Sequence, residues 1–303
     1  MACADQALAE AASGPQAWLI DDGARLHLQH GPIDLIIHAV GQHAQVQRAY
    51  RSAVVAFEPV LHTLANELPL LRCVLKKDSD NLFHGSVAQR MQKAVAPYTD
   101  NSVTPMIAVA GAVADHVLSH MLRDCQLDRV MVNNGGDIAL HLSPGVVARV
   151  GICTDLINGT HTDVVTLSYQ QKVGGVATSG WRGRSHSLGI ADAVTVLAGD
   201  AASADVAATL IANAVDIPDC ASVKRQPACE LAPDSDLLDQ LVTVQVGYLS
   251  ASQIRCALNA GAARARRYTD KSLVHCAYLH LQGKTTLVGV DPRPRVQPVS
   301  HAS

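Results

Sequence analysis

The chain has 303 residues, 48% of them apolar and 17% charged, with a formal net charge of −3. This balance suits a globular chain with a sizeable core and excludes a disordered or fibrous one. No run of basic residues exceeds two, which argues against nucleic acid as a partner, and no apolar run nears the ~20 residues of a membrane span.

Residues 1–15 are Ala-rich without apolar periodicity and are expected to form a mobile N-terminus. The opening Met1-Ala-Cys-Ala-Asp-Gln lacks the basic and apolar regions of a secretory signal. The eight cysteines never fall within four residues of one another, which excludes CxxC pairs and knuckles. All eight read as reduced thiols of a cytoplasmic protein.

Residues 33–40 read as a strand, and 43–57 as a helix with Val46, Tyr50, Val54 and Phe57 on one stripe. Pro59 kinks that helix or begins another. Helices are expected at 86–96 and 104–124, the second with Thr104 as N-cap and Pro105 at its first position. One face of it is small (Ala108, Ala110, Gly111, Ala112, Ala114), which suits close packing against another backbone. Strands are expected at 129–133, 137–142, 147–153, 163–169, 192–198, 240–247, 273–281 and 285–290, and helices at 202–215 and 251–265. Pro292, Pro294 and Pro298 mark 292–303 as an irregular tail. Without a βαβ rhythm the class is α+β, with one domain over 16–291.

Residues 174–215 are dense in Gly, Ala, Ser and Thr yet hold Arg182, Arg184, His186, Asp192 and Asp205. Small residues let a backbone approach either a neighbouring element or a ligand, and the interspersed charges favour a ligand. The run Gly175-Val-Ala-Thr178-Ser179-Gly180 is expected to turn amides and a hydroxyl toward an anion, with Arg182 and Arg184 as clamps; the alternative is a solvated loop. No Gly-Lys-Ser/Thr follows, so this is not a P-loop. Asn133-Asn134-Gly135-Gly136-Asp137 reads as a hairpin turn, or as a turn that hugs a ligand. His186 offers a base or a structural hydrogen bond. Asp205, placed in the first turn of a helix capped by Ser203, is either a dipole partner or, with Thr209 four residues on, a pair of Mg²⁺ ligands.

Taken together, Asn134-Gly-Gly-Asp-Ile138, Gly175-Val-Ala-Thr-Ser-Gly180, Ser185-His186 and Ala204-Asp-Val-Ala-Ala-Thr209 resemble, in order, motifs of the ApbE family of Mg²⁺-dependent FAD:protein FMN transferases. Val103-Thr-Pro-Met106, Val109-Ala-Gly-Ala-Val-Ala-Asp115, Gly189-Ile-Ala-Asp-Ala-Val-Thr195 and Ile211-Ala-Asn213 are similar to one branch of ApbE-related proteins. The resemblance implies a layered fold of mixed or antiparallel sheet with packed helices. It also implies metal ligands at Asp205 and Thr209, with carbonyl help near Val109 or Ala110. Flavin (FAD or FMN) contacts fall at Asn134, Gly135, Gly136, Asp137, Thr178, Ser179 and Gly180, and His186, Arg182 and Arg184 take catalytic roles.

The family's Asp-Pro-x-Thr-Gly loop is missing, because Ser187-Leu-Gly-Ile runs straight into Ala191-Asp192, and its lysine appears as Ala110-Gly111. These departures remove groups for the adenine half and diphosphate of FAD. Three readings remain: an enzyme acting on a flavin-like or other planar phosphate-bearing compound, a cofactor-binding protein without transfer chemistry, and a metal-independent enzyme or interaction partner in a catabolic complex that inherited only the fold. A small-molecule ligand is expected in the first two, and the apolar composition suggests a homodimer.

Overall fold

A computed structural model of the protein describes residues 14–75, 81–101, 103–155, 160–183, 185–233 and 235–290. Most of the segment expected to be a mobile N-terminus and the whole tail at 292–303 lie outside these residues. Nine strands form one sheet: β1 (Gln16–Ile20), β2 (Arg25–His30), β3 (Ile33–Val40), β4 (Arg129–Asn134), β5 (Asp137–Leu142), β8 (Gly175–Ser179), β9 (Ala193–Ala198), β12 (Cys276–Leu281) and β13 (Lys284–Gly289), in that spatial order. Every neighbouring pair runs antiparallel, so the α+β expectation narrows to an antiparallel sheet. Two further hairpins pair β6 (Val147–Asp155) with β7 (Thr160–Ser168), and β10 (Val223–Pro227) with β11 (Leu241–Val246).

Strand alternation explains the layers. On β3, Leu35 and Ile37 are fully buried, while Asp34, Ile36 and His38 between them are half-buried. The buried set joins Leu28, Val130, Val132, Val194 and Val196 beneath the helices. The opposite face, with Leu140, Val176, Leu197 and Tyr278, packs on Val150, Ile152, Val165 and Leu167 of the β6–β7 hairpin. Strand β9 is therefore covered on both sides, which is why Ala-Val-Thr-Val-Leu-Ala is nearly all apolar. Each large aliphatic buried this way contributes about 1.5–3 kcal/mol.

The helical layer holds α1 (His43–Phe57), α2 (Val60–Leu71), α3 (Ser86–Val95), α4 (Val109–Met121), α5 (Ala201–Ala214) and α6 (Ala251–Asp270). Pro59 begins a second helix rather than kinking the first. The helix expected over 104–124 is split into a 3₁₀ segment, Pro105–Ala108, followed by α4. Thr104 makes no side-chain cap; its hydroxyl donates instead to Asp236 at 2.5 Å. Strands β1, β2, β8 and β10 were not among the expected strands: in β2 and β10 Arg-Leu-His-Leu-Gln-His and Val-Lys-Arg-Gln-Pro carry few apolar residues, and in β8 Gly-Val-Ala-Thr-Ser is made of small ones.

Helices α4 and α5 meet backbone to backbone. A Cβ at Gly111 would lie 2.3 Å from the Ala201 carbonyl oxygen and 2.7 Å from the Ala202 nitrogen. We expect Gly111→Ala to cost about 1–3 kcal/mol in urea denaturation and Gly111→Leu to prevent folding, because neither neighbour is a movable side chain.

His116 is buried on α4, its Nε2 donating to the Ala56 carbonyl (3.3 Å) and its Nδ1 facing the Ser86 hydroxyl (3.1 Å). Burial, then the neighbouring His120, lowers its pKa to about 4. The folded chain thus holds fewer protons here than the unfolded chain between about pH 4 and 6.5. This contribution is complete above pH 6.5 and is lost on acidification at up to about 1.4 kcal/mol per pH unit. His116→Gln should flatten that part of the wild-type stability–pH curve; an unchanged slope would remove His116 from the account.

Candidate functional site

The carboxylates foreseen at 137 and 205 come together through two different layers. Asp137 opens β5 directly after a two-residue turn, with Asn134 paired to Asp137. Gly135 (φ 63°) and Gly136 (φ 116°) supply the left-handed conformations that such a tight turn requires. The Gly136 N–H donates to Asn133 Oδ1 at 2.9 Å, and a Cβ at Gly136 would meet no atom within 4 Å, so the turn is open on its outer side.

Asp205 lies one turn inside α5, whose N-cap is Asp200 rather than Ser203: the Ser203 N–H donates to Asp200 Oδ1 at 2.7 Å. Asp205 is thus beyond the first turn, and its Oδ2 accepts from the Gly111 N–H at 3.0 Å, at the start of α4. Thr209, half-buried, stands four residues on and shares that helix face.

Both carboxyls keep a partly open residue surface, yet packed backbone around them disfavours charge. Burial pushes Asp137 up to about 7, against a Thr178 N–H that stabilises the anion. Asp205 is raised well above the ordinary carboxylate range, first by burial and then by repulsion from Asp137, against amide donors from Gly111 and Ala110. A proton on this pair belongs to both groups. Among the described residues, neither carboxylate has an ion-pair partner. Asn134 Nδ2 donates to the Ala110 carbonyl at 3.1 Å, so that oxygen, which the resemblance offers to a metal, already accepts one bond.

The glycine-rich run is used differently from the expectation. Cβ atoms at Gly174 and Gly175 would lie 2.2 Å from Gly199 O and 2.1 Å from Asp200 C, and one at Gly180 would lie 2.4 Å from Asp192 O. At these positions the close approach is to neighbouring backbone. Strand β8 is laddered to β9 along its length, while the Thr178 N–H is turned to Asp137. The Thr178 hydroxyl meets that of the buried Thr195 at 2.9 Å, and Ser179 is half-buried at the strand end.

Arg182 lies 4.8 Å over the Trp181 ring, its Nε 3.8 Å from Asp192. Asp192 also accepts from Trp181 Nε1 (3.2 Å) and the Gln282 N–H (2.6 Å), fixing this turn to the β12–β13 hairpin. Arg184 lies outside the described residues.

His186 is half-buried in a segment held by Asn213 near the end of α5. Asn213 Oδ1 accepts from the Leu188 N–H (2.9 Å) and the Ser187 hydroxyl (3.1 Å). The anchoring roles of Asp192 and Asn213, and of Asp115, whose carboxyl accepts from the Ala201 and Ala202 N–H groups, were missed by the sequence reading. A lone acid on the apolar α4 was the available signal for Asp115, since a buried charge needs partners.

Among the described residues no group of three or more His, Cys, Asp or Glu side chains converges as a metal site. A cavity of about 630 Å³ lies elsewhere, past the far end of α4, lined by Gln42, Gln45, Cys125, His141 and Ser143 among others. With α4 about 20 Å long, it takes no part in the carboxylate pair. No helix among the described residues is long and apolar enough to cross a membrane.

The family model described as "AbpE bacteria" matches residues 16–287, and the chain belongs to this family, within the ApbE-like superfamily. A UPF0280 protein of Methanopyrus kandleri is 34% identical over 171 residues, covering 55% of this chain and 65% of that protein. A UPF0280 protein of Methanosphaerula palustris is 42% identical over 136 residues, covering 44% and 54%. The chain thus spans only about half to two thirds of these relatives. Among solved structures, a mutant of the flavin transferase ApbE from Vibrio cholerae matches at TM-score 0.35 and 10% identity, covering 92% of this chain and 98% of that one. That likeness is too slight to carry residue roles across.

Replacing Asn213 by Ala should leave the Leu188 amide and Ser187 hydroxyl without an acceptor, at a cost of about 1–3 kcal/mol by thermal denaturation. Asn213→Asp, which keeps the acceptor, should recover most of it. Equal losses in both variants would refute the anchoring role.

Proposed function

We propose that the protein is a Mg²⁺-dependent enzyme of the cytoplasm acting on a flavin-like or other planar, phosphate-bearing compound. The observation that carries this reading is the pairing of Asp137 with Asp205, two crowded carboxylates without a counter-cation among the described residues. Such a pair suits a divalent cation: Asp205 and Asp137 would hold it, with the Thr209 hydroxyl as a further hard oxygen. A bound cation supplies charge neutralisation for a phosphate. The open outer side of the Gly135–Gly136 turn leaves room beside Asp137 for a flat ring. In this reading Arg182, exposed and held on Trp181 and Asp192, is assigned the anionic group and His186 the proton. Among the described residues their own contacts are to Trp181, Asp192 and, through residues 187–188, Asn213, and not to the carboxylate pair.

The second reading, a cofactor-binding protein without transfer chemistry, is favoured by the missing Asp-Pro-x-Thr-Gly loop. Visible flavin absorbance of the purified protein without turnover would support it.

Calorimetric titration tests the metal role. Asp205→Asn should lose Mg²⁺ binding while its metal-free melting temperature holds or rises, since one of two repelling carboxylates is gone and the Gly111 N–H keeps an acceptor. Wild-type Mg²⁺ affinity should increase from about pH 6 to 8, because the pair must shed its proton before it can ligate. Equal Mg²⁺ heats in wild type and variant would sink the proposal.

A further inference from the structure

Asp115 is a buried carboxylate of the helical layer, 8% exposed, that has no part in the chemistry above. Its Oδ1 accepts from the Ala201 N–H at 3.1 Å and its Oδ2 from the Ala202 N–H at 2.9 Å. These are the first two amides of α5, which have no acceptor within their own helix. Four residues earlier on the same helix, the Gly111 N–H donates in the opposite sense to Asp205 Oδ2. The two helices therefore exchange bonds at two levels, α4 carboxylate to α5 amides and α4 amide to α5 carboxylate. Between these levels the Gly111–Ala201 contact leaves no slack.

From this geometry we infer that Asp115 is a positioning residue: it fixes the rotation and height of α5 and so sets where Asp205 and Thr209 stand relative to Asp137. The inference rests on the metal reading of that pair.

Capping alone does not account for Asp115. Helix α5 already has an exposed N-cap, Asp200, on the Ser203 N–H. A second acid in an apolar layer is costly, because burial disfavours its charge, and its pKa is accordingly raised to about 6. Asp115 makes no contact ion pair among the described residues; the Arg90 charge favours its anion only in part, and Asp200 opposes it. What Asp115 adds over Asp200 is a two-point hold on successive amides from a different helix. Such a hold restrains rotation, whereas a cap within the same helix turns with it. Ligand placement is sensitive to shifts of about 1 Å, and partners outside the ligand set commonly change metal affinity by about 10- to 100-fold.

The test compares Asp115→Asn, Asp115→Glu and Asp200→Ala by Mg²⁺ calorimetry and thermal denaturation at one pH. Asp115→Asn keeps one acceptor. Asp115→Glu keeps both but displaces them by a methylene, and serves if the first variant does not fold. Both should weaken Mg²⁺ binding by about 10- to 100-fold. Asp200→Ala should lower the melting temperature comparably yet bind Mg²⁺ as the wild type does. Wild-type affinity in a folded Asp115 variant overturns the inference, as does weakening in all three that scales with lost stability. If the wild type itself binds no Mg²⁺, the metal reading fails with it. If only Asp205→Asn abolishes binding, the metal reading stands and this inference alone fails.

Discussion

The absence of a side chain at Gly111 is the constraint on which the arrangement turns. Helices usually meet through interdigitating side chains at axial separations of about 8–10 Å. Here the α4 backbone lies directly against Ala201, within reach of the other helix's amides and carboxylates. Only at that separation can a short acid on one helix bond main-chain groups of the other, and both Asp205 and Asp115 do so. The same turn before α5 is pressed from below by β8, where Gly174 and Gly175 touch Gly199 and Asp200. The segment 199–202 is therefore wedged between a strand and a helix, and Asp205 rides on the wedge.

This closeness also explains the electrostatics. Backbone packing brings Asp137 and Asp205 close enough to repel each other, with Asp115 on the next turn of α4, and all three are held above their ordinary range. Like charges in a low dielectric oppose folding. A cation or a proton would relieve that repulsion, which is the physical basis of the binding role proposed above.

Elements with strong patterns were legible in the sequence. The α1 helix, the alternation of β3 and the Asn-Gly-Gly turn between β4 and β5 stand where periodicity and turn chemistry put them. Of the α1 stripe, however, only Tyr50 and Phe57 are buried, while Val46 is half-buried and Val54 exposed because the small Ala49, Ala53 and Ala56 take the inner face. Boundaries failed where local signals compete. Ser203 looked like a cap because serine favours caps, but Asp200 offers a stronger acceptor three residues earlier. Thr104 looked like another, yet Asp236, distant in sequence, took its hydroxyl. The small residues of 174–215 were read as favouring a ligand over a neighbouring element. Their local chemistry is the same whether a ligand or a neighbouring backbone lies against them.

By itself, then, the order of residues determined the α+β class, the family and the acids worth watching at 137 and 205, because periodicity and motif spacing are local properties of a chain. It did not determine that Asp137 and Asp205 repel each other, that Asp115 holds the start of α5, or that Asn213 seats the His186 segment. Each of those depends on distances between elements far apart in sequence. Those distances are set by how closely backbones pack once the core has formed.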